Sequence, residues 1–591
     1  MTALDDALRA ADAAADTFLE GRHVPGVAYG VVLGGELVHS RGIGTLRLGD
    51  DAPPDADSVF RIASMTKSFT AATVIGLRDA GRLSLDDPIG RHVPELAALR
   101  GPTADSPPIT IRHLLTQASG LATDDPWGDR QQGLDLDAFS TLLRGPLAFA
   151  FSPGARYEYS NLGYGILGRL ITNVAGAEYC DVVRERILEP LGMAATTYHE
   201  AEVGPGRLAR GYLWRDGAYV EEPIDPYGAL AAMGGIFSSV RDLARWVAFF
   251  LDAFPPRDDP EGPWPLSRAS RREMQEVHRT WPPEIVLVTL DADPAAVGGG
   301  YGMGLDALDD TRWGRTVGHS GGYPGFGSTM RWHPASGIGV IVLANHRYAP
   351  ANPLGRTLLA ALLGTGMAAP RRIRPAAATV AARGDVERLL EGWDDAIAKR
   401  LLAMNVELDE PLDHRRAQIE RFAETHGRLV PDPALPDESD TPLHLGWWLA
   451  GEHGGRVRVD IRLSPEARPR VQTLALTVVH EPSAALVAAA TAVVAAANAG
   501  DPAIPDALEL GPAVDPVALA RVLRIVAARY APLELGPAVR GDGTTTATWR
   551  VRGRRDDRAV LNLEIERDDA TGNVTRLTLV PRPPAMPAHA D

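Results

Sequence analysis

The sequence predicts an α/β protein of the α+β kind: an antiparallel sheet flanked by helices, followed by two small C-terminal α+β repeat modules. Three observations carry this. Strand-like runs stand near the start of the chain and again around residues 315–345, with a long helical stretch between them. That grouping is what a segregated sheet and helices produce, and a βαβ alternation does not produce it. Beyond residue 367 a pattern of helix, helix, Trp-bearing strand and further strands occurs twice, about one hundred residues apart, which reads as a duplicated unit. The expected divisions are residues 1–367, 368–480 and 481–591.

Taken in order, residues 4–20 form a helical pattern. Val27–Leu33 and Glu36–Leu48 read as strands joined through Gly34-Gly35, a hairpin signal. Phe60–Thr70, with Ser64 and Lys67, leads into Ala71–Gly81, which reads as a helix stopped by its glycine. The chain then stays mostly helical through residue 250, with expected helices at Ile111–Gly120, Leu162–Val174 and Val240–Leu251. Residues 253–300 are proline-rich and give no clear periodicity. Arg315–Ser320, Gly327–His333 and Gly337–Ala344 read as strands, with Pro334-Ala335-Ser336-Gly337 as a turn. A helix over Pro353–Leu363 follows, and Ala368–Pro375 reads as a linker. The first repeat places helices near Val386–Arg400 and His414–His426 and strands around Trp447-Trp448, Val457–Leu463 and Val471–Leu476. The second places helices at Ala484–Ala497 and Pro516–Tyr530 and strands around Trp549, Val560–Glu566 and Val574–Leu579. Neither repeat carries a catalytic constellation, so scaffolding, dimer contacts or a lid is expected of them.

Composition excludes several classes. A chain of 591 residues with a formal charge of −16 and pI near 5.5 is a poor partner for nucleic acid or an anionic membrane. The single cysteine, Cys180, rules out an intrachain disulfide and reads as a small buried residue. No uninterrupted apolar run reaches spanning length, so no membrane span is expected; Ala485–Ala497 reads as an alanine-rich helix. Met1–Ala10 is acidic and amphipathic and does not read as a secretory signal, which makes the expected location cytoplasmic. No metal spacing or nucleotide fingerprint stands out, and neither metal nor cofactor is expected.

The chemistry concentrates in three short stretches. Ser64 and Lys67 lie three apart at the start of a helix, so hydroxyl and amine share a face. A serine hydroxyl needs a neighbouring base before it is a useful nucleophile. Lysine supplies one only if its surroundings lower its pKa. Of the 60 basic residues only Lys67 and Lys399 are lysine; the rest are arginine, which cannot give up its proton at neutral pH. The second stretch is Tyr157-Glu158-Tyr159-Ser160-Asn161, where the Tyr159 phenol can relay a proton and the Asn161 amide can bond both an amine and a carbonyl. Without partners, Tyr159 would be turn packing and Asn161 a helix cap. The third is Gly318-His319-Ser320-Gly321-Gly322. It also matches G-x-S-x-G, the nucleophile elbow, but an elbow requires a helix next. Tyr323-Pro324-Gly325-Phe326-Gly327 and a further strand follow instead. These glycines let a substrate lie against a strand edge, with a backbone N–H facing its carbonyl oxygen.

Ser64-Met65-Thr66-Lys67, Tyr159-Ser160-Asn161 and His319-Ser320-Gly321, in this order, resemble the three signatures of the serine β-lactamase/penicillin-binding-protein superfamily. The resemblance spans about residues 10–365 and is nearest the class C β-lactamase-like branch, which includes D-alanyl-D-alanine carboxypeptidases, D-aminopeptidases, esterases and peptide-cyclising thioesterases. Arg112–Leu121, Leu188–Met193 and Gly234–Ser239 also resemble it. True class C β-lactamases carry lysine where this chain has His319, and histidine there resembles the D-peptidase members. The resemblance implies a β-lactamase/transpeptidase-like catalytic domain with Ser64 as nucleophile, and Lys67 and Tyr159 sharing the base role. It implies that His319 bonds Tyr159 or substrate, and that Asn161, Ser320, Gly321 and Gly322 bind substrate. The N–H groups of Ser64 and Gly322 are the expected oxyanion donors. The expected partner is a small ester or peptide, with hydrolysis or acyl transfer to an amine or alcohol as outcomes. A non-catalytic sensor of acyl or peptidoglycan ligands is the reading from another class. Asp124–Asp129 is expected to edge the cleft or to be a surface loop packed over Trp127. The C-terminal modules allow a homo-oligomer.

Overall fold

The computed structural model describes residues 3–50, 52–281, 284–286, 295–310, 314–365, 374–433, 435–453, 455–499, 508–553 and 556–581. The chain divides into two compact units, Met1–Ala368 and Ala369–Asp591. Most of the expected linker, residues 368–373, lies outside the described residues.

In the first unit, helix α1 (Ala3–Leu19) precedes strands β1 (Gly26–Leu33) and β2 (Glu36–Gly44). The hairpin between them turns on Gly34 and Gly35, both at positive φ, a conformation open to glycine. The sheet is completed by β3 (Ala295–Tyr301), β4 (Asp306–Asp310), β5 (Gly314–Tyr323), β6 (Phe326–His333) and β7 (Ile338–Ala344). Their order is β2-β1-β7-β6-β5-β4-β3, antiparallel throughout, with short strands Arg279–Thr280 and Glu284–Val286 pairing onto β3. Strands β1, β6 and β7 are buried along nearly their whole length because both sheet faces are covered. Helices α1 and a C-terminal helix at Ala351–Gly364 pack on one face, with Ala7, Ala11 and Ala15 against Val27, Tyr29 and Val342.

The other face packs on the helix Val240–Leu251, which in turn packs on helix α2 (Thr66–Asp79), of which eleven of fourteen residues are buried. Trp246, on the helix Val240–Leu251, stacks on Phe69 with ring centroids 4.1 Å apart, and its indole N–H donates to Ser68 Oγ at 3.0 Å. Helix α2 is therefore a core helix, so the Ser64–Lys67 pair does not sit on a solvated surface.

The expected helix at Ile111–Gly120 is shorter, Ile111–Leu115, and Gln117 beyond it sits at φ 54°. The stretch that gave no periodicity holds a helix (Arg268–Met274) and β3, whose Gly298-Gly299-Gly300 run lacks the alternation a strand normally shows.

The second unit contains two antiparallel four-stranded sheets, each preceded by helices. The first uses Leu429–Pro431, His444–Gly451, Arg456–Leu463 and Val471–Val479; the second Leu533–Arg540, Thr546–Gly553, Asp556–Arg567 and Val574–Pro581. The expected helix over Val386–Arg400 is two helices, Ala377–Glu391 and Asp395–Leu401. The break falls at Gly392, and Asp394 caps the second helix by accepting from the N–H groups of Ala396 and Ile397. No helix among the described residues is long and apolar enough to cross a membrane.

Candidate active site

Ser64 lies in a single 3₁₀ turn (Ala63–Met65) that runs directly into α2, where the first N–H groups have no partner within the helix. Ala63 takes a left-handed conformation, φ 47°, which costs energy for a residue with a Cβ and turns the chain sharply just before the hydroxyl. Gly321 makes room for this turn. A Cβ there would stand 2.3 Å from the Ile62 carbonyl oxygen and 2.9 Å from Ala63 Cβ. Gly321 thus faces the backbone under Ser64, not the cleft, and its expected role as a substrate contact is corrected to one of close packing. Gly321→Ala is expected to displace Ser64 and slow its covalent labelling by about 100-fold, the usual consequence of a misplacement near 1 Å. A near-native labelling rate would contradict this.

Lys67 is fully buried. Its Nζ lies 2.9 Å from Ser64 Oγ, 2.7 Å from Asn161 Oδ1 and 2.8 Å from the Met233 carbonyl oxygen. The Asn161 orientation follows from its other side, where Nδ2 donates to Asp125 Oδ1 at 2.7 Å. Two of the three Nζ partners can only accept. A neutral amine has two N–H bonds, which those oxygens take, and its lone pair is then directed at the Ser64 hydroxyl. Burial lowers the Lys67 pKa to about 8, against the opposing pull of Asp125, Asp129 and Asp124.

The Tyr159 loop is held from behind. Glu158 N–H donates to the Gln117 carbonyl at 2.8 Å and Ser160 N–H to Gln117 Oε1 at 2.9 Å, which brackets Tyr159 on both sides. Ser160, not Asn161, caps the helix Asn161–Ala175, accepting from Gly163 N–H. Asp124 adds a carboxylate to the same N-terminus, accepting from Asn161 and Leu162 N–H at 2.7 Å each. The Tyr159 phenol and Ser64 open on the same cleft, and Lys67 Nζ lies 4.9 Å from the Tyr159 ring centroid. Burial and the nearby Asp125 push this phenol well above its ordinary pKa, so its phenolate is disfavoured. The expected sharing of the base role therefore narrows: Lys67 is the group that can take a proton, and Tyr159 is one that can pass it on.

His319 stands on β5, where β4 has ended: Gly318 pairs with Asp306, and residues 319–323 have β6 as their paired neighbour. Its Nδ1 is 2.6 Å from the Ser320 carbonyl and its Nε2 is 2.9 Å from the Tyr301 hydroxyl. The expected bond from His319 to Tyr159 is thus replaced by one to Tyr301. Burial lowers the His319 pKa to about 4, with Lys67 and Arg331 adding to the effect and Asp306 opposing it. The imidazole is neutral.

These groups open on a cleft of about 740 Å³, lined on one side by Ser64, Tyr159, His319, Ser320 and Gly322. Asp125 and Asp129 line it too, so the 124–129 loop edges the cleft as one expectation had it; Trp127 is 41% exposed and is not packed beneath. Burial raises Asp129 to about pKa 6, and it accepts from the Tyr348 hydroxyl at 2.7 Å. Tyr301, Gln117 and the Met233 carbonyl were not singled out in the sequence. No cluster of metal-binding side chains occurs among the described residues.

An antiparallel sheet with a serine–lysine pair at the head of its core helix, and a phenol and an imidazole lining the cleft, is the arrangement of the β-lactamase/transpeptidase fold. The Beta-lactamase family model matches residues 11–365, and the chain belongs to that family. It is 32% identical to the D-alanyl-D-alanine-carboxypeptidase/endopeptidase AmpH of Escherichia coli (strain K12), over 41% of this chain and 61% of AmpH. It is 30% identical to penicillin-binding protein 4 of Amycolatopsis lactamdurans, over 61% of this chain and 92% of that protein. The chain thus spans about three fifths of the AmpH length. Among solved structures, the octameric penicillin-binding protein homologue from Pyrococcus abyssi shares the fold with a TM-score of 0.52 at 23% identity, covering 79% of this chain and 99% of that one.

Proposed function

We propose that the chain is a serine hydrolase that cleaves ester or amide substrates through an acyl-enzyme on Ser64, as an esterase or a D-amino-acid-specific peptidase. The observation that carries this reading is the arrangement of Lys67 Nζ, with two acceptor-only oxygens on its N–H bonds and the Ser64 hydroxyl on its lone pair. Lys67 takes the Ser64 proton as Oγ attacks the carbonyl carbon. The negative charge that forms on the carbonyl oxygen is held by the N–H groups of Ser64 and Gly322, each such donor contributing about 3–4 kcal/mol. The C–O or C–N bond breaks as the Tyr159 hydroxyl protonates the leaving group, and the Lys67 ammonium restores the phenol proton. Water then releases the acyl group.

The carboxypeptidase/endopeptidase activity that names AmpH and the neutral His319 support testing D-alanyl peptides beside simple esters. A neutral imidazole supplies no fixed positive charge for an anionic substrate, unlike a lysine in that place. A homo-oligomer through the second unit is also proposed, supported by helix residues Met404, Leu408 and Ile525, each at least 68% exposed.

The test is a panel of p-nitrophenyl butyrate, D-amino-acid amides and a D-alanyl-D-alanine peptide, with mass spectrometry of the Ser64 peptide during turnover. The expected result is release of product from at least one class and an acyl mass increment on Ser64. Turnover with the increment on another residue, or none of the substrates turned over, would overturn the reading. A competing amine in the same assay separates hydrolysis from acyl transfer.

A further inference from the structure

His319 is bonded on both nitrogens, and the partners differ in kind. The Ser320 carbonyl oxygen, 2.6 Å from Nδ1, has no hydrogen to give, so Nδ1 must carry one. A neutral imidazole has only one N–H, so Nε2 is an acceptor, and the Tyr301 hydroxyl at 2.9 Å donates to it. Tyr301 is placed to do this. It is 2% exposed, its own ionisation is pushed well above the ordinary range by burial, and its ring meets the Tyr159 ring edge-on at 6.4 Å. It is the last residue of β3, opposite Asp306 in the β3–β4 pairing, and so fixed by the sheet.

We propose that Tyr301 is a positioning residue that, together with the Ser320 carbonyl, holds His319 as a neutral Nδ1–H tautomer bonded to Tyr301, so that His319 takes no part in the proton transfers between Ser64, Lys67 and Tyr159. A cationic His319 would stand in the same cleft as Lys67 and oppose protonation of its amine just when it accepts the Ser64 proton. The charged groups facing His319 are Lys67 on α2, Arg331 on β6 and Asp306 on β4, the last two joined in an ion pair at 2.6 Å. With that pair internally balanced, the Ser320 carbonyl, which can only accept, fixes the tautomer, and the Tyr301 hydroxyl donating to Nε2 holds the ring in place. The kinetic consequence rests on the acyl-enzyme reading above; the tautomer itself does not.

The experiment is a long-range proton–nitrogen correlation spectrum of the full chain labelled in its histidines, with His319 identified by its loss in His319→Gln. In the native protein His319 should show a protonated Nδ1 and a bare Nε2, unchanged from pH 8 to pH 5.5. In Tyr301→Phe, Nε2 loses its donor; the Nδ1–H signal should persist, held by the Ser320 carbonyl, while the Nε2 resonance moves to that of a nitrogen with no hydrogen-bond donor. Fluorophosphonate labelling of Tyr301→Phe should slow about three- to tenfold, the worth of one net hydrogen bond. Adding Tyr301→Phe to His319→Gln should cost nothing more, because the effect runs through the imidazole. An Nε2–H tautomer or an imidazolium in the native protein at pH 6.5 overturns the proposal and requires no variant to fold. An equal loss from Tyr301→Phe with and without His319 overturns it too, leaving Tyr301 a packing role. If the native protein does not label at all, the hydrolase reading fails while the spectrum still decides the tautomer.

Discussion

Ser64→Ala is expected to abolish covalent labelling by a fluorophosphonate or a β-lactam, with turnover falling on the order of a millionfold, as for other hydrolases that lose their nucleophile. The size follows from the geometry. Ser64 Oγ is bonded to Lys67 Nζ and shares its cleft with the Tyr159 phenol, so base and proposed relay both converge on this one oxygen. Ser68, the next serine along, cannot take over, since it faces the Met65 carbonyl and the Trp246 indole inside the core. Removing a single half-buried oxygen leaves Lys67 its bonds to Asn161 and Met233, so the melting temperature should barely move. Labelling at the native rate in the variant would mean that another residue is the nucleophile.

Lys67→Arg is expected to slow acylation by about 10³–10⁴, the upper part of what a positioned general base contributes. The substitution keeps the charge and removes the ability to shed it. With a pKa of about 8, on the order of a tenth of Lys67 is free amine at pH 7; at the ordinary 10.5 it would be about three in ten thousand. Burial thus raises the competent fraction some 300-fold. Lys67→Met tests the same point without an overlarge cation. It should be as slow as Lys67→Arg, and it should be destabilised because Asn161 Oδ1 and the Met233 carbonyl each lose a donor, at about 1–3 kcal/mol apiece. Burst kinetics with a p-nitrophenyl ester measure the first, and denaturant unfolding the second. A labelling rate within tenfold of native in either variant would contradict the assignment.

The motifs were legible because each packs its chemistry into a few consecutive residues on an element of definite period. Ser64 and Lys67 needed only the helical rise, and the glycines of 318–322 needed only a strand edge. What surrounds them was not legible. Tyr301 lies eighteen residues before His319, on a strand whose Gly298-Gly299-Gly300 run erases the alternation that marks strands. Gln117 works through a positive-φ backbone and two bonds that no side-chain pattern announces. The Met233 contribution is a carbonyl, which every residue has. In the second unit the strands with regular alternation were readable, Val457–Leu463 above all. The first strand of each sheet was missed: Leu429–Pro431 is three residues long, and Leu533–Arg540 contains Gly536-Pro537, which reads as a turn. Roles were harder than positions. Gly321 reads as a substrate contact in sequence because glycine at a strand edge admits ligands, yet here it admits the backbone beneath Ser64.

The central claim is that a buried lysine gives up its proton in the physiological range to activate Ser64. The pH dependence of the second-order rate constant for fluorophosphonate labelling tests it most directly. Because the Lys67 pKa is lowered, the free amine gains as pH rises, so the rate should climb with unit slope below pH 8, bend near 8 and level off by about 9. A rate that is flat from pH 6 to 9, or one still climbing at unit slope through pH 10, would contradict it.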